Sequence, residues 1–190
     1  MTQHRHFILH KPCGYLSQFI YNLKRKKKLL GALHDFPPGT MSIGRLDEMS
    51  EGLLLLTTDG KVSNYITGKK VEKEYYVQLD GLVTEEAIEQ MRLGVEIGFS
   101  GQKYMTKPCQ ASKLIDPPIF PPRSIRIRDD RHGPTSWASI IIREGKYRQV
   151  RKMSAAVGYP TLRLIRARIG NEKLGPLVPG KVIEVDGFDA

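Results

Sequence analysis

The segment from residue 44 to residue 60 holds the side chain best placed for chemistry, a carboxylate between two apolar stretches. Glycines occur at both ends, and the aliphatic run 53–56 follows Asp47 closely. A side chain on a segment anchored in this way is held rigidly, as a nucleophile or general base must be. Cations nearby would keep the Asp47 carboxylate ionised. An aspartate that only forms a turn fits the same spacing.

A second candidate is a cationic helix predicted over residues 148–157. At about 100° per residue, three cations lie within one arc of this helix, namely Arg148, Arg151 and Lys152. The opposite side carries Val150, Met153 and Val157. Gly145 and Lys146 lead into the helix N-terminus, where free N–H groups add positive potential. The pattern predicts a phosphate-facing element, and a solvated surface helix is the alternative.

The overall charge favours a polyanionic partner. Thirty Lys and Arg residues against twenty Asp and Glu give a net charge of +10 and a pI of about 9.6. The cations form three clusters, within residues 24–28, 123–131 and 143–168. A basic protein with this distribution is typical of nucleic-acid binding, although any single cluster could be a solvated face.

Several function classes have no support in the sequence. The five histidines form no helical metal-binding pair, and we expect no metal site. Nucleotide-binding glycine motifs are absent, and Cys13 and Cys109 belong to no Cys-x-x-Cys pair. The longest aliphatic run is far below the roughly 18 residues that a membrane span needs. We therefore expect a cytoplasmic protein that does not use a membrane.

The elements that position these residues predict an α+β fold with a mostly antiparallel or mixed sheet. Strands are predicted at 7–10, 43, 53–57, 73–79, 137–142 and 162–169. Helices are predicted at 29–33, extending the preceding lysine run, at 85–93 after a Thr84 cap, and at 148–157. Asp59-Gly60 reads as a turn, and residues 106–134, with six prolines, read mostly as an exposed connection.

Five motifs in order resemble the RsuA-like family of ribosomal pseudouridine synthases. They are Lys-Pro-x-Gly at 11–14, Gly-Arg-Leu-Asp at 44–47, Gly-Leu-Leu-Leu-Leu-Thr at 52–57, Lys-x-Tyr-x-Val at 73–77 and Glu-Gly-Lys-x-Arg-Gln-Val-Arg-Lys-Met at 144–153. Residues 134–137 and 158–166 are similar to the large subunit pseudouridine synthase E branch, which has no S4 RNA-binding domain. Departures from the pattern are Thr58, Ser50 and Glu74.

The resemblance implies a pseudouridine synthase fold over residues 1–190, in two lobes with a boundary near 68–72 and the active-site cleft between them. It implies no S4 domain and no cofactor. The implied activity is isomerisation of uridine in 23S (large-subunit) ribosomal RNA, naked or in a pre-ribosomal particle. A monomer without an obligate protein partner is the default expectation.

The resemblance also implies the site residues. Asp47 would be the catalytic carboxylate, Tyr75 would stack on the target base, and Arg151 would pair with Asp47. Arg45 would enter the space left by the flipped nucleotide. The residues implied to bind RNA are Arg45, Lys73, Lys146, Arg148 and Lys152, together with the run at 24–28.

Three alternatives stay open at this point. The same chemistry could act on 16S ribosomal RNA or on tRNA. The chain could be a non-catalytic RNA-binding or assembly factor, in which case substitution of Asp47 would leave its function unchanged. It could also be a hydrolase that releases free uracil from RNA.

Overall fold

The computed structural model describes residues 3–20, 26–68, 71–128 and 130–189. The chain forms two compact units. The first holds the described residues up to Val71, residues 121–125 and the described residues from Ile165 onward. The second holds residues 72–120 and the described part of 126–164.

The strands of the first unit are ordered β13-β1-β5-β11. They are β1 (His6–Lys11), β5 (Glu51–Thr57), β11 (Thr161–Ile169), which belongs to this unit from Ile165 onward, and β13 (Val182–Val185). β1 pairs antiparallel with both β13 and β5, whereas β5 pairs in parallel with β11. Short strands β4 (Met41–Ile43) and β12 (Glu172–Lys173) extend β5 and β11.

The core of the first unit explains its leucine-rich motif. Every residue of β5 is buried, so both faces of this strand are covered and its sequence is continuously apolar rather than alternating. On one face, Leu54 and Leu56 pack with Phe7, Leu9 and Leu30. The four leucines at 53–56 are therefore core residues that hold the strand following Asp47.

Two local predictions in the first unit are wrong. Residues 29–33 form no α-helix: β3 (Lys28–Leu29) pairs in parallel with β2 (Tyr15–Leu16), and a single 3-10 turn covers Leu30–Ala32. The stretch is too short to nucleate a helix, and Gly31 weakens it further. Residues 24 and 25 of the lysine run lie outside the described part of the chain.

Asp59-Gly60 begins a helix instead of making an isolated turn. Helix α1 runs over Gly60–Gly68, and Ile66 is its buried residue. The Asp59 carboxylate accepts a hydrogen bond from the Lys61 N–H at 2.7 Å, and the Thr57 hydroxyl oxygen accepts one from the Asp59 N–H at 2.9 Å. Asp59 therefore satisfies a free N–H group of the first turn, as helix-capping residues do.

The second unit is built on β6 (Lys73–Asp80), β10 (Thr135–Ile142) and β9 (Gln110–Leu114), together with residues 161–164 of β11. β10 pairs antiparallel with both β6 and β9. Along β6, alternate residues are buried, which is the period-two pattern of a strand with one covered face. β9 was missed by the sequence prediction, because it lies in the proline-rich connection and only one of its five residues is buried.

Two helices and one hairpin complete the second unit. Helix α2 (Glu85–Leu93) begins at the predicted Thr84 cap, whose hydroxyl accepts from the Ala87 N–H at 3.3 Å. The hairpin pairs β7 (Glu96–Phe99) with β8 (Gln102–Met105). Helix α3 (Gln149–Ala156) lies within the predicted range 148–157.

The predicted α+β class with mostly antiparallel mixed strands is confirmed. Of the strand pairs given above, β5–β11 and β2–β3 are parallel and the others are antiparallel. None of the helices in the described residues combines the length and apolar character that a membrane-spanning helix needs.

Candidate active site

Asp47 lies on the loop that joins β4 to β5 in the first unit, and its side chain is half-buried. The loop is held on the side preceding Asp47 by Ser17. The Ser17 hydroxyl donates to the Leu46 carbonyl at 2.8 Å and accepts from the Leu46 N–H at 2.9 Å. On the following side, the Ser50 N–H donates to the Asp47 carbonyl at 3.0 Å. These hydrogen bonds fix the backbone at the carboxylate.

A buried lysine supports the same loop. The Lys11 ammonium donates to the carbonyl oxygens of Ser50 at 2.8 Å, Pro12 at 3.0 Å and Glu48 at 3.3 Å. Three acceptors match the three N–H donors of an ammonium group. Burial lowers the pKa of Lys11 to about 8, against the attraction of neighbouring acidic groups that include Asp47. Lys11 therefore places a positive charge beneath the loop.

Arg166 is a second buried cation that binds the segment around Asp47. Its Nε donates to the Leu53 carbonyl at 2.8 Å, and its Nη1 donates to the Arg45 carbonyl at 3.4 Å. It thereby links β11 to the residues before and after Asp47. Its backbone also passes against Gly52, where an added Cβ would lie 2.4 Å from the Arg166 carbonyl oxygen. Gly52, at φ +105°, makes this close strand pairing possible.

The loop carries two further charged side chains, Arg45 and Glu48. Arg45 is exposed, as a residue that enters nucleic acid would be. The Glu48 carboxylate is half-buried and forms an ion pair with Lys27 at 2.8 Å. Part of the lysine run therefore neutralises this acid in the structure.

Tyr75 and Tyr76 point to opposite faces of β6 in the second unit. Tyr75 is buried on the face that it shares with Val77, whereas Tyr76 is half-buried and packs 6.2 Å from the Phe120 ring, measured between centroids. Lys73 is the half-buried first residue of the strand. Tyr75, which the resemblance assigns to the target base, therefore lies on a different face of β6 from Tyr76.

The turn before α3 is organised by Glu144. Its carboxylate accepts hydrogen bonds from the Tyr104 hydroxyl, the Lys107 N–H at 2.9 Å and the Gln149 amide at 2.8 Å. The buried Gln149 side chain in turn accepts from the Lys146 N–H at 3.1 Å. Burial opposes ionisation of Glu144, but these hydrogen bonds outweigh burial and lower its pKa.

Arg148 caps α3 in a left-handed conformation, with φ at 53°. A non-glycine residue in this region is strained by roughly 1–2 kcal/mol. The hydrogen bonds of Glu144 and Gln149 surround this position and hold the turn. Arg148 is exposed at the start of α3, and its strained backbone conformation is of the kind that clusters at functional sites.

The other cations of α3 have defined positions within the second unit. The Arg151 Nη1 donates to the Thr161 carbonyl at 3.4 Å, and the Lys152 ammonium donates to the Gly98 carbonyl at 2.7 Å. The Lys146 ammonium lies 4.9 Å from the centroid of the Tyr104 ring. Val150 and Met153 are buried, which agrees with the predicted apolar side of the helix.

The predicted site residues divide between the two units. Arg45 and Asp47 lie in the first, whereas the second contains Lys73, Tyr75, Lys146, Arg148, Arg151 and Lys152. The pairing of Arg151 with Asp47 stays a prediction. Within the described residues, no group of three or more His, Cys, Asp or Glu side chains could hold a metal ion.

The sequence alone does not predict the groups that anchor the site. Lys11, Glu144 and Arg166 occur there only within motifs or a basic cluster, without a role of their own. In the structure, Lys11 and Arg166 are buried and Glu144 is half-buried, and a charged residue is seldom buried unless it is paired or hydrogen-bonded. Their contacts come from distant parts of the chain, so spacing alone could not identify them.

Comparisons with known proteins give a consistent result. A family model described as RNA pseudouridylate synthase matches residues 5–156. The chain is 40% identical to "Ribosomal large subunit pseudouridine synthase E" of Xanthomonas axonopodis pv. citri, over 90% of this chain and 89% of the relative. It is 40% identical to the protein of that name from Vibrio parahaemolyticus, over 94% of this chain and 72% of the relative. A crystal structure titled as a pseudouridylate synthase superposes with a TM-score of 0.75 at 28% identity, over 97% of this chain and 71% of the other.

Proposed function

Because this chain belongs to the RNA pseudouridylate synthase family, we propose that it isomerises uridine to pseudouridine in 23S ribosomal RNA. The observation that carries the choice of RNA is the extent of the match to relatives named for the large ribosomal subunit. The anchored Asp47 loop supports the proposal, because a catalytic carboxylate must be held in a fixed position.

The reaction breaks the N1–C1′ bond of uridine and joins C5 to C1′. The C5 proton is lost and N1 gains one, so the oxidation level does not change and no redox cofactor is needed. Asp47 is the catalytic carboxylate. It acts by adding to the sugar or base, or by removing the C2′ proton, and both routes fit a rigid carboxylate.

The other residues bind and orient the nucleotide. Tyr75 stacks on the target base, and Arg151 pairs with Asp47. Arg45 fills the space that the flipped nucleotide leaves in the base stack. Phosphates are held by Lys73, Lys146, Arg148 and Lys152, which position the RNA without reading its sequence.

The proposal places the protein in the cytoplasm as a monomer, acting on ribosomal RNA or on a pre-ribosomal particle. Binding must then depend steeply on salt, because the phosphate contacts release counterions. The basic surface of the chain, with its net charge of +10, supports this expectation.

The test uses large-subunit ribosomal RNA transcribed with tritium at uridine C5. We expect the protein to release tritium to water without releasing free uracil, and we expect Asp47→Ala to release none. Free uracil and an abasic site would identify a hydrolase instead. Tritium release from 16S RNA or tRNA, but not from 23S RNA, would support the proposed reaction and contradict the proposed RNA substrate.

A lack of release from naked RNA and from ribosomal particles would favour the non-catalytic alternative. A binding assay with the same RNA distinguishes a non-catalytic binding factor from an inactive preparation, because only the binding factor would retain the RNA.

A further inference from the structure

We propose that Tyr147 is a base-stacking residue, which binds a nucleotide of the RNA other than the reacting uridine. This inference rests on the proposed function, since it takes RNA as the substrate. Tyr147 lies in the turn between Gly145 and α3, and 67% of its surface is exposed. An exposed aromatic ring next to phosphate-binding cations is the arrangement with which proteins hold unpaired bases.

The ring of Tyr147 is held by a cation that is itself fixed. The Lys152 ammonium lies 5.3 Å from the ring centroid and donates to the Gly98 carbonyl at 2.7 Å. Tyr147 is thereby tied through Lys152 to β7 of the hairpin, although its ring is largely in solvent. Pre-ordering the ring lowers the entropic cost of stacking a base on it.

The charge around Tyr147 is complementary to RNA. Residues 143–152 contain five cations and one carboxylate, and that carboxylate is Glu144, which is engaged by three hydrogen-bond donors. Arg148 is exposed next to Tyr147 in the sequence. Phosphates held by these cations would bring the bases of the same strand close to the ring.

A protein partner is a weaker fit for this surface. Lysine is depleted at the centres of protein interfaces, whereas arginine and lysine around an exposed aromatic ring are typical of single-stranded nucleic-acid sites. The chemistry of the turn therefore favours a base over an apolar side chain as the occupant.

The experiment measures the Kd of the full chain for large-subunit ribosomal RNA by filter binding at fixed salt. Tyr147→Ala is expected to weaken binding by roughly 5- to 150-fold, the range for the loss of one stacked base. Tyr147→Phe should bind within about twofold of the wild type, because it keeps the ring. Tyr65→Ala is the matched control, since Tyr65 is also an exposed tyrosine, at 51%, but lies on α1.

Heparin separates stacking from charge, because it is a polyanion without bases. Tyr147→Ala should bind heparin as the wild type does, and the salt dependence of RNA binding should be unchanged because no cation is removed. RNA binding by Tyr147→Ala within twofold of the wild type would overturn the proposal. An equal loss on heparin, or a Phe variant as weak as the Ala variant, would also overturn it.

Tritium release from the same RNA distinguishes this proposal from the proposed function. If RNA binding depends on Tyr147 but no tritium is released, the stacking proposal stands and the proposed function fails. If tritium is released and Tyr147→Ala binds RNA as the wild type does, the proposed function stands and the stacking proposal fails. If the wild type did not retain the RNA at all, both proposals would fail.

Discussion

The loop that carries Asp47 and the turn that leads into α3 are anchored by groups of opposite charge. In the first unit, Lys11 and Arg166 donate hydrogen bonds to backbone carbonyls around the carboxylate. In the second unit, Glu144 accepts three hydrogen bonds beneath a turn that carries arginines and lysines. Each segment is therefore held by hydrogen bonds to a buried or partly buried charged side chain, whose sign is opposite to that of the functional residues on the segment.

The two kinds of anchor also differ in what they bind. Lys11 and Arg166 bind backbone carbonyl oxygens on either side of Asp47 directly. Glu144 reaches the turn before α3 through the Gln149 side chain, which accepts from the Lys146 N–H. In both units, therefore, hydrogen bonds to a charged side chain that is not fully exposed fix the local backbone geometry.

The largest loss of stability is expected at Gly52 in the first unit, where the backbone of Arg166 leaves no space for a side chain. Gly52→Ala would place a Cβ 2.4 Å from the backbone oxygen of Arg166, at a φ of +105°. We expect the free energy of unfolding to fall by more than about 4 kcal/mol, or the variant to remain unfolded. Chemical denaturation followed by circular dichroism measures this change.

Gly145→Ala is the matched substitution in the second unit, where an added Cβ meets no atom within 4 Å. It should change stability by less than about 0.5 kcal/mol. Equal effects of the two glycine substitutions would show that the close pairing of β5 with β11 is not what requires Gly52.

The next effect concerns the pH dependence of the buried lysine. Lys11 has a folded pKa of about 8 against 10.5 for a free lysine, so the unfolded chain binds more protons between these values. The stability of the wild type should therefore rise with pH from about 8 to 10.5, by about 3 kcal/mol relative to Lys11→Met. Denaturation of both proteins across this range measures the difference, and a difference that stays constant would contradict the burial of a charged Lys11.

A smaller effect is expected from the carboxylate anchor. In Glu144→Gln, the three hydrogen bonds that the carboxylate now accepts would lose the strength that the negative charge gives them, and one of its two oxygens would be replaced by an N–H₂ donor. We expect a loss of about 1–3 kcal/mol in the free energy of unfolding, together with a lower kcat/KM. Thermal or chemical denaturation and the tritium assay measure the two quantities.

Glu96→Gln is the control for this anchor, because Glu96 forms an exposed ion pair with Lys103 on the neighbouring hairpin. Its stability should change by less than about 1 kcal/mol, and its kcat/KM should stay near that of the wild type. If Glu144→Gln behaved in the same way, Glu144 would not be an anchor.

Local sequence signals predicted the elements whose pattern is set within the element itself. The β-prone residues at 73–79 predicted β6, the Thr84 cap predicted α2, and helical spacing of cations and apolar residues predicted α3. The family resemblance added residue roles for Asp47, Tyr75 and Arg151, which these patterns do not provide.

The missed features depend on residues far apart in the chain. Strand β9 is stabilised by pairing with β10, about 25 residues later, and its own exposed residues give a weak signal. The anchors behave in the same way: Arg166 contacts residues more than a hundred positions earlier. Helix α1 is the exception, since the Asp59 cap was present locally and was interpreted as a turn.

The central claim is that Asp47 performs the chemistry while the basic residues hold the RNA. Its direct test measures the single-turnover rate of tritium release and the Kd for 23S RNA, for Asp47→Asn and for Glu48→Gln. Glu48 is the adjacent carboxylate on the same loop, and it is paired with Lys27. We expect Asp47→Asn to bind RNA at least as tightly as the wild type but to react at least about 10²-fold more slowly. Glu48→Gln should retain the wild-type rate, and an Asp47→Asn variant that does so as well would contradict the account.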